Sequence, residues 1–98
     1  MTVIPEPVVF EWDKGNTDKN WYGHEVSDSE CEEVFSDERK RLYKDVFHSQ
    51  QEERFILIGK TNMGRLLYVV FTKRDNQIRV ISVRDLNKKE KEFYEEET

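Results

Sequence analysis

One cysteine in 98 residues leaves Cys31 with no partner for an intramolecular disulfide and no companions for a cysteine-built metal site. That usage fits a reducing compartment. No apolar run approaches the length of a bilayer span, and no charged, apolar, small-residue leader opens the chain, so the expectation is a soluble, cytoplasmic protein without membrane contact. The sequence also lacks a glycine-rich phosphate loop, a His-Glu-x-x-His pair, a serine elbow and two histidines at ligand spacing. Neither a nucleotide enzyme nor a metal enzyme is expected, and no cofactor is implied. Of the two histidines, His24 follows the first expected helix and His48 sits in the middle of the chain. A lone histidine at a helix end has a structural use as hydrogen-bonder or dipole cap before it has a catalytic one.

What the chain has is charge and aromatic surface. Charged residues make up 38% and hydrophobic residues 36%, with six Phe, four Tyr and two Trp, enough large apolar side chains for one core and one domain over residues 1–98. The net charge of −5 is unevenly spread. Residues 1–53 carry 6 Lys and Arg against 14 Asp and Glu, residues 54–89 carry 9 against 2, and the tail 90–98 carries 1 against 5. A polyanion responds to the local basic region more than to the sum, because exposed charges are screened beyond about 10 Å. The same charges are also what solvated strands and turns ordinarily carry.

Residues 1–7, with Pro5 and Pro7, read as a loose lead-in, and residues 95–98 as a frayed acidic tail. Val8-Val9-Phe10-Glu11-Trp12 reads as a first strand, with Asp13 capping a helix of about ten residues that ends near Gly23. Ser27 and Glu30 have the spacing of a capping box and open a second helix through Val34-Phe35. From Glu38 to Gln51 the pattern is ambiguous: Leu42, Tyr43, Val46 and Phe47 suit a short strand or a helix end, and Ser49-Gln50-Gln51 a loop. Three strands then follow as an antiparallel meander, over Phe55–Gly59, Leu66–Thr72 and Ile78–Arg84. Asp85 or Asn87 caps a last helix that sets Glu90 and Tyr94 on one face. The expected fold class is α+β, an antiparallel sheet of about four strands with two N-terminal helices and one C-terminal helix.

The last strand, Ile78-Arg79-Val80-Ile81-Ser82-Val83-Arg84, raises the functional question. Guanidinium groups stay charged and are rarely buried unpaired, so an anion must answer Arg79 and Arg84. Either the protein's own carboxylates do so, with Glu53 and Glu90 as candidates, or a ligand does. Strict alternation along the strand would put Ser82 and Arg84 on one face and Arg79 on the other. With Asn20, His24, Glu53, Arg54 and Arg65 these residues form a constellation rather than a motif.

Phe10-x-Trp12-Asp13, Asn20, His24-x-Val26, Glu32-Glu33-Val34-Phe35, Glu53-Arg54, Gly59, Gly64-Arg65-Leu66-Leu67, Ile78-Arg79-Val80-Ile81-Ser82-x-Arg84, Glu90 and Tyr94 occur in that order. The set resembles the BrnT toxin family over about residues 8 to 94. The resemblance implies a RelE-like fold, a translation-arresting ribonuclease, and a BrnA-like antitoxin with a ribbon-helix-helix part that contacts DNA. On this resemblance Arg79, Arg84 and Arg65 are expected to stabilise charge during metal-independent RNA cleavage, and His24 or Glu53 to move protons. Arg54, Lys60, Ser82 and Tyr94 are expected to bind substrate, Tyr94 by stacking on a base. Many members carry a lysine near position 16 and Lys-His-Gly-Val where this chain has Asn16 and Gly23-His24-Glu25-Val26. Losing those lysines suits a second expectation, a degenerate toxin that acts by docking its antitoxin and modulating that partner's DNA binding.

Overall fold

Apolar residues at every second position of three consecutive stretches bury both faces of an antiparallel sheet. The computed structural model describes residues 4–47 and 52–96, so the expectations for His48, for the Ser49-Gln50-Gln51 loop and for the last two residues lie outside the described residues. The strands are β1 (Arg41–Lys44), β2 (Phe55–Lys60), β3 (Leu66–Arg74) and β4 (Gln77–Asp85), and the sheet order is β1-β2-β3-β4. Helices α1 (Lys19–His24) and α2 (Asp28–Glu33) precede the sheet, a 3₁₀ turn follows α2, and α3 (Lys88–Glu96) ends the chain. The fold is therefore α+β. No helix among the described residues is long and apolar enough to cross a membrane.

Local signals set several boundaries. Ser27 Oγ accepts from the Glu30 N–H at 3.1 Å while Glu30 Oε1 accepts from the Ser27 N–H at 2.9 Å, which is the capping box that starts α2. Asn87 and Glu90 repeat the exchange at α3, each at 2.9 Å, so Asn87 rather than Asp85 is the cap. Asp75 and Asn76 both take positive φ, the geometry of the two-residue turn between β3 and β4. Gly59 is required by contact: a Cβ there would meet the Val34 carbonyl oxygen at 2.9 Å.

The N-terminal expectations need correction. Val8–Trp12 is not a strand of the sheet: it makes a single parallel bridge, Phe10 to Ile78, while the fourth strand is β1 from the ambiguous middle segment. Asp13 caps no ten-residue helix. Its Oδ1 accepts from Gly15 N–H and its carbonyl from Asn16 and Thr17, forming a turn, and Asp18 at φ 57° delays α1 to Lys19. The lead-in is not loose throughout, since Ile4 joins the core.

Two clusters of side chains hold the sheet. On one face Leu57, Leu67, Val69, Phe71, Ile78, Val80 and Val83 pack against Val26, Cys31, Val34 and Phe35 of the α2 side. On the other, Ile56, Ile58, Tyr68 and Val70 pack against Tyr94 of α3 and against Leu86, which precedes it. The buried positions of β4 are thus 78, 80 and 83, a sequence that breaks period two. A bulge explains the break: Phe71 pairs with Val80 but Val70 pairs with Ser82, leaving Ile81 as an extra residue. Arg79, opposite Thr72, and Arg84, opposite Tyr68, consequently lie on the same face as Ser82. The alternation that put Arg79 on the opposite face fails at this one residue.

The bulge also disturbs the outer edge of β4, where backbone groups need partners. Val9 and Glu11 serve both backbone groups of Ile78. Beyond them side chains take over: Asn16 Nδ2 donates to the Val80 carbonyl at 3.2 Å, Lys19 Nζ to the Ile81 carbonyl at 3.1 Å, and Asn20 Oδ1 accepts from the Val83 N–H at 3.1 Å. Asn16 and Asn20 are only 2% and 4% exposed, so water is no substitute. Replacing Asn20 by Ala strands a buried N–H and should lower unfolding free energy by about 1–3 kcal/mol in chemical denaturation. A loss under about 0.5 kcal/mol would show that this edge does not depend on the amide.

Candidate functional site

With the bulge in place, the α3-side face of the sheet carries three tiers of side chains. Arg41, Ile58, Tyr68 and Arg84 form one cross-strand row, Tyr43, Ile56, Val70 and Ser82 the next, and Thr72 with Arg79 a third, beside Arg54 at the entrance to β2. Arg84 lies over the Tyr68 ring, 3.9 Å from its centroid, and makes a two-pronged bond to Glu90 with both distances 2.8 Å. Of the two carboxylates proposed as struts, Glu90 therefore fills the role. Glu53 does not, because it pairs with Lys44 at 2.9 Å. Arg79 instead binds Asp13 through two contacts of 2.9 and 3.0 Å and Glu11 through one of 3.2 Å. Hydrogen bonding from Arg79 lowers the Asp13 pKa, and hydrogen bonding from Arg84 lowers that of Glu90. All three carboxyls are the protein's own.

Arg65 differs from the other two arginines in how completely it is used. Nε and Nη2 grip Asp85 at 2.7 and 3.0 Å, Nη2 also reaches the His24 carbonyl at 3.1 Å, and Nη1 bonds the Glu25 carbonyl and Glu30 at 2.9 and 3.4 Å. Those five contacts exhaust the donors of a guanidinium. Arg65 is a tie between the end of α1, the start of α2 and the end of β4. Arg79 and Arg84 are each described in three hydrogen bonds, all through their terminal nitrogens.

The remaining sequence candidates fall in separate places. His24 is exposed at the end of α1, near the Arg65–Asp85 pair: Asp85 is held low by the Arg65 hydrogen bond, with the His24 charge adding to the effect. Glu53 stands at the β1 edge, held low in pKa by Lys44. The two expected proton carriers are therefore not neighbours. Lys60 ends β2, its N–H bonded to Asp37 at 2.8 Å and its ammonium 5.9 Å from the Tyr94 ring centre. Tyr94 is 2% exposed and bonded to Asp37, so its ring is part of the core and has no face for a base.

A cleft of about 200 Å³ at the Arg79 end gathers Lys19, Arg54, Arg74 and Arg79 around Gly15, Ile81 and, among the described residues, a single lining carboxylate, Glu52. Arg74 holds Glu52 at 2.6 and 3.0 Å. Gly15 admits the Arg79 guanidinium, since a Cβ there would stand 2.7 Å from Nη2. Lys19 and Arg74 escaped the sequence reading. Arg74 sits at a hairpin turn where a solvated cation is ordinary, and only the early end of the N-terminal turn brings Lys19 to β4. Tyr43 and Tyr68, on the Arg84 face, were likewise unmarked.

Against this geometry, the profile described as the ribonuclease toxin BrnT of type II toxin-antitoxin systems matches residues 12–90. The chain belongs to the BrnT family. A search of curated proteins gave no significant match. The family span contains the three arginines, His24, Glu53 and the basic cleft, so the outer sheet face of this BrnT chain lies wholly inside the matched region.

Tyr94 lies four residues beyond the matched span yet closes the BrnT core through Asp37. Burial and the bond to Asp37 push its pKa up to about 12 from 10.0. The folded state therefore holds a proton that the unfolded chain releases, and stability must fall as pH rises between those values. Tyr94→Phe should make the loss of stability over that range shallower, leaving a residue from Tyr43 and Tyr68, which burial also raises. It should also cost about 1.5–3 kcal/mol at neutral pH, read from denaturation curves. An unchanged alkaline profile would contradict the assignment.

Proposed function

We propose that this BrnT toxin is a metal-independent endoribonuclease that binds RNA across the outer face of the sheet and arrests translation. The observation that carries the reading is the bulge at Ile81, which gathers Arg79, Ser82 and Arg84 on one face beside Tyr68 and the Lys19–Arg54–Arg74 cleft. A ribose 2′-hydroxyl attacks the adjacent phosphate, the P–O5′ bond breaks, and a cyclic phosphate and a free 5′-hydroxyl result. Charge accumulates on the non-bridging oxygens, where guanidinium N–H groups stabilise it. Arg79 and Arg84 hold donors in reserve for that task, whereas Arg65 has none.

His24 is the better-supported proton carrier, being exposed near Asp85, whose carbonyl accepts from Arg84 at 3.1 Å. Glu53 is engaged by Lys44. Tyr68, with the Arg84 guanidinium over its ring, takes the base-stacking role first given to Tyr94, and the cleft cations follow the phosphate backbone. A BrnA-like ribbon-helix-helix antitoxin neutralises the toxin in the cytoplasm, and DNA is reached only through that partner.

A second reading has its own observation. Glu11, Asp13 and Glu90 already occupy the forks of Arg79 and Arg84, as they would in a toxin that cuts nothing and survives as an antitoxin-docking module. Induction of the parent chain in a bacterial host should stop growth with RNA fragments accumulating, and purified protein should cut RNA in excess EDTA. Arg79→Ala/Arg84→Ala, verified as folded, should lose at least a hundredfold in cleavage rate. Cleavage that survives the double substitution would refute the arginine site. A folded parent that neither arrests growth nor cuts RNA would favour the docking module.

A further inference from the structure

The two edges of the sheet are finished differently. The β4 edge is closed by Val9, Glu11, Asn16, Lys19 and Asn20. No described strand covers the outer edge of β1. The bond from Asp45 N–H to the Arg54 carbonyl fixes which β1 residues face β2, and alternation then directs the N–H and C=O groups of Leu42 and Lys44 outward. Such an edge is a template for an added strand.

The same edge borders a cleft of about 700 Å³ between β1 and α3. Leu42, Tyr43, Ile58 and Phe93 give it an apolar lining, and Leu42, Tyr43 and Phe93 are 36%, 39% and 41% exposed. Its charged lining is Lys40, Arg41 and Lys89, against Glu90, which Arg84 already binds. Arg41 lies over Phe93, 4.6 Å from the ring centre, and its buried Nε has no acceptor among the described residues. An apolar floor, a cationic rim, an unanswered donor and a free strand edge describe a peptide site better than a nucleic-acid one.

We infer that β1 and the β1–α3 cleft form the antitoxin-docking surface of this toxin, taking an extended antitoxin segment whose apolar side chains enter the cleft and whose carboxylates meet Lys40, Arg41 and Lys89. The inference rests on the type II reading, which supplies a protein partner. It places that partner at the sheet edge opposite the bulge and its arginines, so neutralisation would act by another route than plugging the arginine face.

The test uses the full chain and, as probe, the separately purified product of the reading frame adjoining its own. Hydrogen exchange is followed at the Leu42 and Lys44 amides with and without that protein. Both amides should exchange fast in the free toxin and slow at least tenfold in the complex. Leu42→Pro blocks the edge without removing a bond to β2, and Phe93→Asp with Lys89→Glu spoils the cleft from α3. Each should weaken binding at least tenfold while RNA cleavage by the free toxin is unchanged. Binding with no protection at Leu42 and Lys44 would overturn the surface and leave the ribonuclease reading intact. Failure of the two folded proteins to bind would overturn the antitoxin reading and the surface together. Protection appearing in the toxin alone as it dimerises, or with RNA in place of the adjoining product, would give the edge another occupant and refute the proposal.

Discussion

An edge strand with one extra residue needs its main-chain groups answered, and in this chain two buried asparagine amides answer them. Asn16 and Asn20 reach the Val80 carbonyl and the Val83 N–H on either side of the Ile81 bulge. Much else follows from that. The N-terminal segment makes only one bridge before turning away, α1 is short because the turn at residues 13–18 must deliver both side chains, and β4 changes phase halfway along. Without the bulge Tyr68 would stand opposite Val83. With it Tyr68 stands opposite Arg84, whose guanidinium lies over the Tyr68 ring, and the two arginines share a face.

Electrostatics on that face is balanced by the protein's own carboxylates. Arginines clustered on one surface repel each other, and Glu11, Asp13 and Glu90 relieve the repulsion in the free protein. The pairs are partly exposed, so each adds modest stability and is screened by salt. Around Arg65, by contrast, carbonyl groups and a second carboxylate complete the shell beside Asp85. Asn16, where the family resemblance led to the expectation of a lysine, has a structural use. Its amide bridges Glu11 and Val80 while accepting from Asp13.

Much of the fold was legible because it rests on local rules. The Ser27–Glu30 box, the Asp75-Asn76 turn and the three long strands follow from spacing, and Glu90 was one of the two carboxylates offered for the arginines. The failures are non-local. β1 is four residues with little burial, so no alternation marks it. The helix expected from Asp13 lost to tertiary bonds made by Asn16 some sixty residues away. The bulge left a trace that strict alternation passed over: a serine at the inward phase, followed by a valine one step late. The site divided likewise. Arg79 and Arg84 were singled out as candidates but put on opposite faces, while Lys19, Arg74 and Tyr68 depend on register and could not be singled out by residue type.

The central claim is that the bulge makes Arg79 and Arg84 one binding surface and leaves Arg65 a structural tie. The most direct test follows the arginine Nε–Hε resonances by NMR while a short 2′-deoxy oligonucleotide, which cannot be cleaved by 2′-hydroxyl attack, is added. The account predicts that the Arg79 and Arg84 signals shift together along one saturating curve and that Arg65 stays still. Movement of Arg65 without the other two, or no movement of any at saturating oligonucleotide, would contradict it.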